Sequence, residues 1–558
     1  MMSQDLPTND YSVDEFNAML ASVMKAAMPE EATGLDEVTD DYEAGANDGE
    51  TAPEPKPTLT EDLAALDALE RHLYAHRFAS LELEAFGETI EPPDAAADRA
   101  EALAILQEED QERLSDPAVA ALLGRLTKRS GELKNIRKAQ VRVLKRDRDK
   151  LCSVDAAANT KLSLLQSESY GVWCKAKAED NWFIFAPYLD SLVEQKRKIA
   201  LAMRPDSDPY DTMLDWYEHG ADRAFYDNFF AQVKQTVVPL LSSIRLAKRQ
   251  VSRACVEGRF DEGRQWELAR DVARLEGINE NAHFLTSTEH PFSEAMSSHF
   301  AVTAGHVHED NLMANVYSIL HEVGHNLYEQ GVDPKLNRTS LKGGTSMGIH
   351  ESQSRFFEDS IGRDRAFMDP LLALMKKRFP GQLGRVTANQ LYNAVNRVEP
   401  SLIRIQADEL TYPLHIMVRY EIEQLLISGE IAARDVPFIW ADRYGAYLDV
   451  NVPNNTQGAL QDVHWAFGDF GYFPTYALGG AYAAQFRHQI IADGIDWAGQ
   501  LSRGDLAPIR AWLGSHIWRF GRAKDPAEIL EYACGEPFNP SYYADYLNKK
   551  YTAIYGLR

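Results

Sequence analysis

Ile319-Leu320-His321-Glu322-Val323-Gly324-His325-Asn326-Leu327-Tyr328 is the stretch that decides how the chain is read. Apolar Val316, Ile319, Leu320, Val323 and Leu327 recur at helical spacing along one side of it. On a helix, residues four apart stand one turn above each other on the same face. His321 and His325 can therefore offer two imidazole nitrogens to one metal ion. Glu322, beside the first of them, can reach a water at that ion and take its proton. Imidazole and carboxylate donors with one position left open suit zinc.

A catalytic zinc needs a third protein ligand. One known solution places Gly at 328 and His at 331, but the chain has Tyr328 and Gly331. The other solution is a Glu on a following helix. His350-Glu351-Ser352-Gln353-Ser354-Arg355 supplies it after a connection rich in glycine (Gly343, Gly344, Gly348), and Glu351 is the expected third ligand.

The whole chain bounds this reading. At 558 residues and 45% apolar content it can bury a large core. It contains no apolar run of about eighteen residues or more, so no membrane span is expected. The first residues are polar and acidic, unlike a secretory leader, and the four cysteines are scattered without a Cys-x-x-Cys pair. Both features point to a cytoplasmic protein with free thiols. The net charge of −26 opposes nucleic acid and anionic membrane surfaces.

Much of that charge is local. Residues 1–56 hold fourteen acidic side chains and two lysines, a balance of −12, and few large apolar residues follow Met28. Residues 1–57 are expected to be a disordered acidic tail, with at most a short amphipathic helix around Val13–Met28. At Thr58-Leu59-Thr60-Glu61 a capping box opens a helix that keeps Leu63, Leu66, Leu69 and Leu73 in register. Residues 58–558 then read as one domain of helical patterns separated by short polar breaks. Within it, 58–160 would be N-terminal helices covering a groove and 161–558 the catalytic core. The fold class is all-α, with at most a small sheet near Phe300–Val307. The many Lys and Arg between Arg125 and Lys150 are interspersed with acids and read as a solvated helix face.

Two later stretches carry polar chemistry. In Ser401–His415, positions Arg404, Asp408, Thr411 and His415 fall on one helical stripe, which would line a cleft. Further on, His464 in Gly458–Trp465 is followed by Tyr472 and Tyr476 in a segment rich in glycine and aromatics. A His and a Tyr donating to a developing oxyanion would complete a zinc peptidase site.

With these residues in view, the chain resembles the carboxypeptidase Taq (thermostable carboxypeptidase) family of zinc metallocarboxypeptidases. The motifs that carry the resemblance stand in one order: His290-Pro291-Phe292, His321–His325, His350–Arg355, Ile403-Arg404-Ile405-Gln406-Ala407-Asp408 and Gly458–Trp465. The resemblance is close over roughly 160–558 and loose over 58–160. It implies an elongated, neurolysin-like helical fold with a deep groove, and cytoplasmic homodimers that remove C-terminal residues from peptide substrates with broad preference. It also implies one zinc per subunit, replaceable by cobalt, on His321, His325 and Glu351, with Glu322 as general base. Arg404, with Arg355 in reserve and His415 nearby, is the candidate for holding the peptide carboxylate. His464 with Tyr476 or Tyr472 is the candidate for stabilising the intermediate. One departure stands out. The family's Asp-x-Arg-x-Thr motif reads His299-Phe300-Ala301-Val302-Thr303 here, so only the Thr survives. The loss of that Arg leaves open an oligopeptidase that cuts inside short peptides. A non-catalytic scaffold with a structural zinc is a more distant alternative.

Overall fold

Thr58 caps the first described helix (α1, Leu59–Gly87): its side chain accepts from the Glu61 amide, and the Glu61 carboxylate accepts in return from the Thr58 amide. The computed structural model describes residues 57–153 and 156–557, so the acidic tail and its Val13–Met28 helix lie outside the described residues. Leu66 and Leu69 of α1 are buried against Leu122, Leu123, Leu126 and Leu144. Farther along, Phe78, Leu81 and Ala85 pack on Met296 and Val302 of a small sheet. Glu70 of α1 accepts from the Ser340 amide at 2.6 Å, and Arg77 donates to the carbonyls of Asn337 and Thr339. A second helix (α2, Ala96–Ser115) follows the Pro92-Pro93 break.

The helix Asn135–Leu151 (α3) does not present the purely solvated basic face expected from its sequence. Arg142 and Arg146 both pair with Asp525, and Arg522 grips Asp147 at 2.7 and 2.9 Å. Lys150 sits over the Trp216 ring, 5.6 Å from its centroid. The reason is tertiary: acids that satisfy this helix come from far along the chain, where local charge alternation cannot reveal them.

Among the described residues the architecture is mainly helical, as the patterning predicts, with one sheet of three strands: β1 (His283–Ser287), β2 (Phe292–Ser297) and β3 (Phe300–Gly305). β3 is central, parallel to β1 (His283 opposite Ala301) and antiparallel to β2 (Phe292 opposite Ala304). The helix Leu312–Gly331 (α4) lies on this sheet. Asn326 of α4 donates to the Val302 carbonyl and the Thr303 hydroxyl, both at 2.8 Å, and Gln330 donates to the Ala282 carbonyl. Val316, Ile319, Leu320 and Val323 are buried on its apolar face, each worth roughly 1.5–3 kcal/mol of hydrophobic stabilisation. Ala301, where the family motif has Arg, is fully buried on β3 and offers the groove no surface.

Candidate metal centre

Three helices converge on the site. α4 brings His321, Glu322 and His325. After a loop, Ser346 caps a short helix (α5, Met347–Arg355) by accepting from the Ile349 amide, and this helix brings Glu351. The loop is shaped by Glu329, one turn beyond His325. Its carboxylate accepts from Lys342 at 2.6 Å, the Gly344 amide at 2.9 Å and His350 at 3.2 Å. Gly343, at φ +109°, allows the turn that an L side chain would strain.

Two glycines let the helices close on Glu351. A Cβ at Gly324 of α4 would stand 2.9 Å from the Gln353 carbonyl oxygen and 3.0 Å from the Ser354 Cα. On the other side runs the helix Phe473–Ala492 (α7), where a Cβ at Gly479 would stand 2.5 Å from the Glu351 Cγ. All three distances are below normal contact, so these positions set how deeply α5 is clamped.

The structure brings His321, His325 and Glu351 together. One donor atom from each lies within 4.8 Å of the others. The two histidine Nε2 atoms are 3.6 and 3.5 Å from Glu351 Oε2. On the far side of the His321 ring, Nδ1 lies 3.0 Å from Glu358 Oε2. This leaves Nε2 with its lone pair toward the cluster, the orientation a metal-ligating histidine needs. Glu358 sits on a π-helical segment, Phe356–Ile361, that continues α5. Arg355 donates to Glu351 at 2.7 Å and to Glu358 at 3.1 Å. Burial would raise the Glu351 carboxyl, but Arg355 and the two histidines hold it well below the usual carboxylate range. The donor set and its supports therefore fit a divalent transition ion.

Burial raises the Glu322 carboxyl, while the facing His321 opposes the rise. A carboxylate shifted toward neutrality is suited to taking and returning a proton. His325 stacks on His350, with ring centroids 4.4 Å apart. Beyond His350 opens a cavity of about 1250 Å³, lined also by Gly344, Ser346, Tyr217, Arg146 and Lys150.

The second polar group is joined through Tyr476 of α7. His464 Nε2 lies 3.2 Å from the Tyr476 hydroxyl, and the Tyr472 ring is 5.1 Å from that of Tyr476. Burial pushes His464 down to about 4, so it is neutral at ordinary pH. Burial also raises the Tyr476 phenol, which stays a donor. The Arg404 guanidinium lies 5.1 Å from the Tyr476 ring. Two of its nitrogens donate to Asp462, at 2.9 and 3.1 Å, and a third to the Tyr412 hydroxyl at 3.1 Å. Arg355 lies over the Tyr412 ring, 4.3 Å from its centroid.

The expected helical stripe through Arg404, Asp408, Thr411 and His415 is not formed. Arg404–Gln406 is a single 3-10 turn, and the helix (α6, Tyr412–Ser428) starts later, with Pro413 in its first turn. Asp408 instead accepts from the amides of Leu410 and Thr411. His415 is fully buried, its Nδ1 lying 3.0 Å from the Tyr444 hydroxyl, so it is part of the core rather than of a cleft wall. The residues that sequence reasoning passed over are Glu358, Glu329, Asp462 and Tyr412. Glu358 stands seven positions after Glu351, two helical turns on, and that spacing is the signal that could have found it.

A helical scaffold that sets two histidines and a glutamate around one point, with a half-buried glutamate beside them, defines a metallopeptidase. The chain belongs to the carboxypeptidase Taq (M32) metallopeptidase family, whose model matches residues 65–551. It is 33% identical over 466 residues to carboxypeptidase 1 of Bacillus subtilis (strain 168), covering 84% of this chain and 93% of that one. It is 35% identical over 404 residues to thermostable carboxypeptidase 1 of Thermus thermophilus, covering 71% of this chain and 79% of that one. The crystal structure of the M32 carboxypeptidase from Deinococcus radiodurans R1 superposes with a TM-score of 0.86 at 32% identity, over 89% of this chain and 99% of that one. The chain is accordingly a metallocarboxypeptidase, a peptide-bond hydrolase.

Proposed function

We propose that the chain is a zinc-dependent carboxypeptidase of broad preference that removes C-terminal residues from peptides, with Glu322 as general base. The observation that carries this reading is the convergence of donor atoms from His321, His325 and Glu351 beside the half-buried Glu322 carboxyl. Zinc held by those three residues would supply Lewis acidity, polarising the scissile carbonyl and lowering the pKa of a water. Glu322 takes the proton of the attacking water and delivers it to the leaving amine. Tyr476, kept as a phenol and paired with neutral His464, donates a hydrogen bond to the developing oxyanion, with Tyr472 adjacent.

Arg404 pairs with the peptide's terminal carboxylate through the N–H groups that Asp462 and Tyr412 leave free. Arg355 is given instead to positioning, since its donors go to Glu351 and Glu358. The N-terminal helices form one wall of the groove, where α3 lines the cavity beside His350. A cytoplasmic homodimer belongs to the same reading: four unpaired cysteines among the described residues support the compartment, and family membership supports the dimer. Cobalt is expected to restore activity to the metal-stripped protein. The test is chelator-sensitive release of a single C-terminal residue from a blocked peptide.

A further inference from the structure

A second cluster with the same construction lies at the N-terminal end of the fold. His72 and His76 stand four apart on α1, with ring centroids 4.1 Å apart. Glu109 and Asp110 face them from α2. A nitrogen from each histidine and an oxygen of Glu109 lie within 4.8 Å of one another. His76 Nε2 is 3.5 Å from Glu109 Oε2, while His76 Nδ1 is 2.9 Å from Asp110 Oδ1. The Asp110 carboxylate adds negative charge beside the His76 ring, although its Oδ1 and His76 Nδ1 are out of line for a hydrogen bond and neither has a partner among the described residues. His72 Nε2 is buried and has no hydrogen-bond partner among the described residues.

We propose that His72, His76 and Glu109 form a second, structural metal site for a divalent transition ion of the zinc class, which fastens α2 to α1. The helix that gains the tie needs one. None of the twenty residues of α2 is fully buried, and its apolar anchors Leu103, Leu106 and Leu114 are only half-buried. α1, by contrast, is fixed to the leucine cluster, to the sheet and to the Ser340 loop. The donor set is two imidazoles and a carboxylate, which selects zinc, cobalt or nickel over magnesium or calcium. The nearby Arg113 charge opposes a cation, and the Glu109 and Asp110 carboxylates offset it. The partly exposed Glu109 gives the ion a path from solvent.

The test is zinc stoichiometry of the full chain by native mass spectrometry, after stripping and reloading with zinc alone. Three forms are compared: wild type, His72→Ala/His76→Ala, and His321→Ala/His325→Ala. Two ions are expected in the wild type and one in each double variant. The His72→Ala/His76→Ala protein should keep its peptidase rate within about twofold and show a smaller zinc-induced rise in melting temperature than the wild type, while the His321→Ala/His325→Ala protein should still show a rise of its own. Cobalt loading of the latter gives a visible absorption band that reports imidazole ligation independently of activity. If the histidine pair on α1 proves necessary for folding, Glu109→Gln should lower the affinity of the second ion at least tenfold with the fold intact. One ion in the wild type and none in His321→Ala/His325→Ala overturns the proposal, as does an unchanged second ion in Glu109→Gln.

Discussion

Glu358 Oε2 stands 3.0 Å from His321 Nδ1, on the side of the ring away from Glu351. The contact fixes both the tautomer and the tilt of the imidazole, so Nε2 is presented before any ion arrives. Removing such a support typically lowers metal affinity by about 10–100-fold. Glu358→Ala is therefore expected to shift a chelator-competition curve by that factor. An unchanged curve would mean that the helix backbone alone orients His321.

Glu322 is beside the first ligand and does not contribute a donor to the cluster. Glu322→Gln should therefore retain the metal while turnover falls by about 10²–10⁴, the range that general-base catalysis supplies. Metal content and kcat measured on one preparation separate the two roles.

Gly479 touches the back of Glu351. In Gly479→Ala the new methyl would meet Glu351 Cγ at 2.5 Å and Cβ at 2.8 Å, so one helix must retreat. Overpacking of this kind costs about 1–3 kcal/mol. The melting temperature and the metal affinity should fall together, because the displaced residue is a ligand. A fall in stability with metal binding unaltered would place the strain elsewhere.

Glu218 reports on pH. Its carboxylate accepts from the Gly348 amide and from Tyr482, each at 2.9 Å, at the start of α5. Burial outweighs these bonds and raises it from its ordinary 4.5 to about 7. A carboxyl raised on folding holds its proton in the native state after the unfolded chain has lost it. Its contribution to stability is full below pH 4.5 or so and is lost as the pH rises through about 7. Glu218→Gln should flatten this part of the profile of melting temperature against pH. A variant with the wild-type slope would assign the effect to another buried acid, Glu423 and Glu294 being raised in the same way.

Much of the scaffold was legible in the chain because its signals are local. The capping box at Thr58, the apolar stripe of α4 and the i, i+4 histidines each depend on neighbours within a few residues. The Arg404–His415 stripe misled for a local reason too: Pro413 marks a first helical turn, so the helix had to begin at Tyr412 rather than run through Arg404. What stayed hidden depends on distant pairing. Asp462 takes up two nitrogens of Arg404 from fifty-eight positions away, and Asp525 pairs with Arg142 and Arg146 of α3 from across the chain. The clamping of Glu351 between Gly324 and Gly479 is likewise a property of three helices together.

The most direct measurement is release of free amino acid from an N-blocked tripeptide and from its C-terminal amide, each with and without a zinc chelator. The expected result is release from the free acid alone, abolished by the chelator and restored by zinc. Equal cleavage of acid and amide, or cleavage that survives the chelator, would contradict a zinc carboxypeptidase anchored on the substrate's terminal carboxylate.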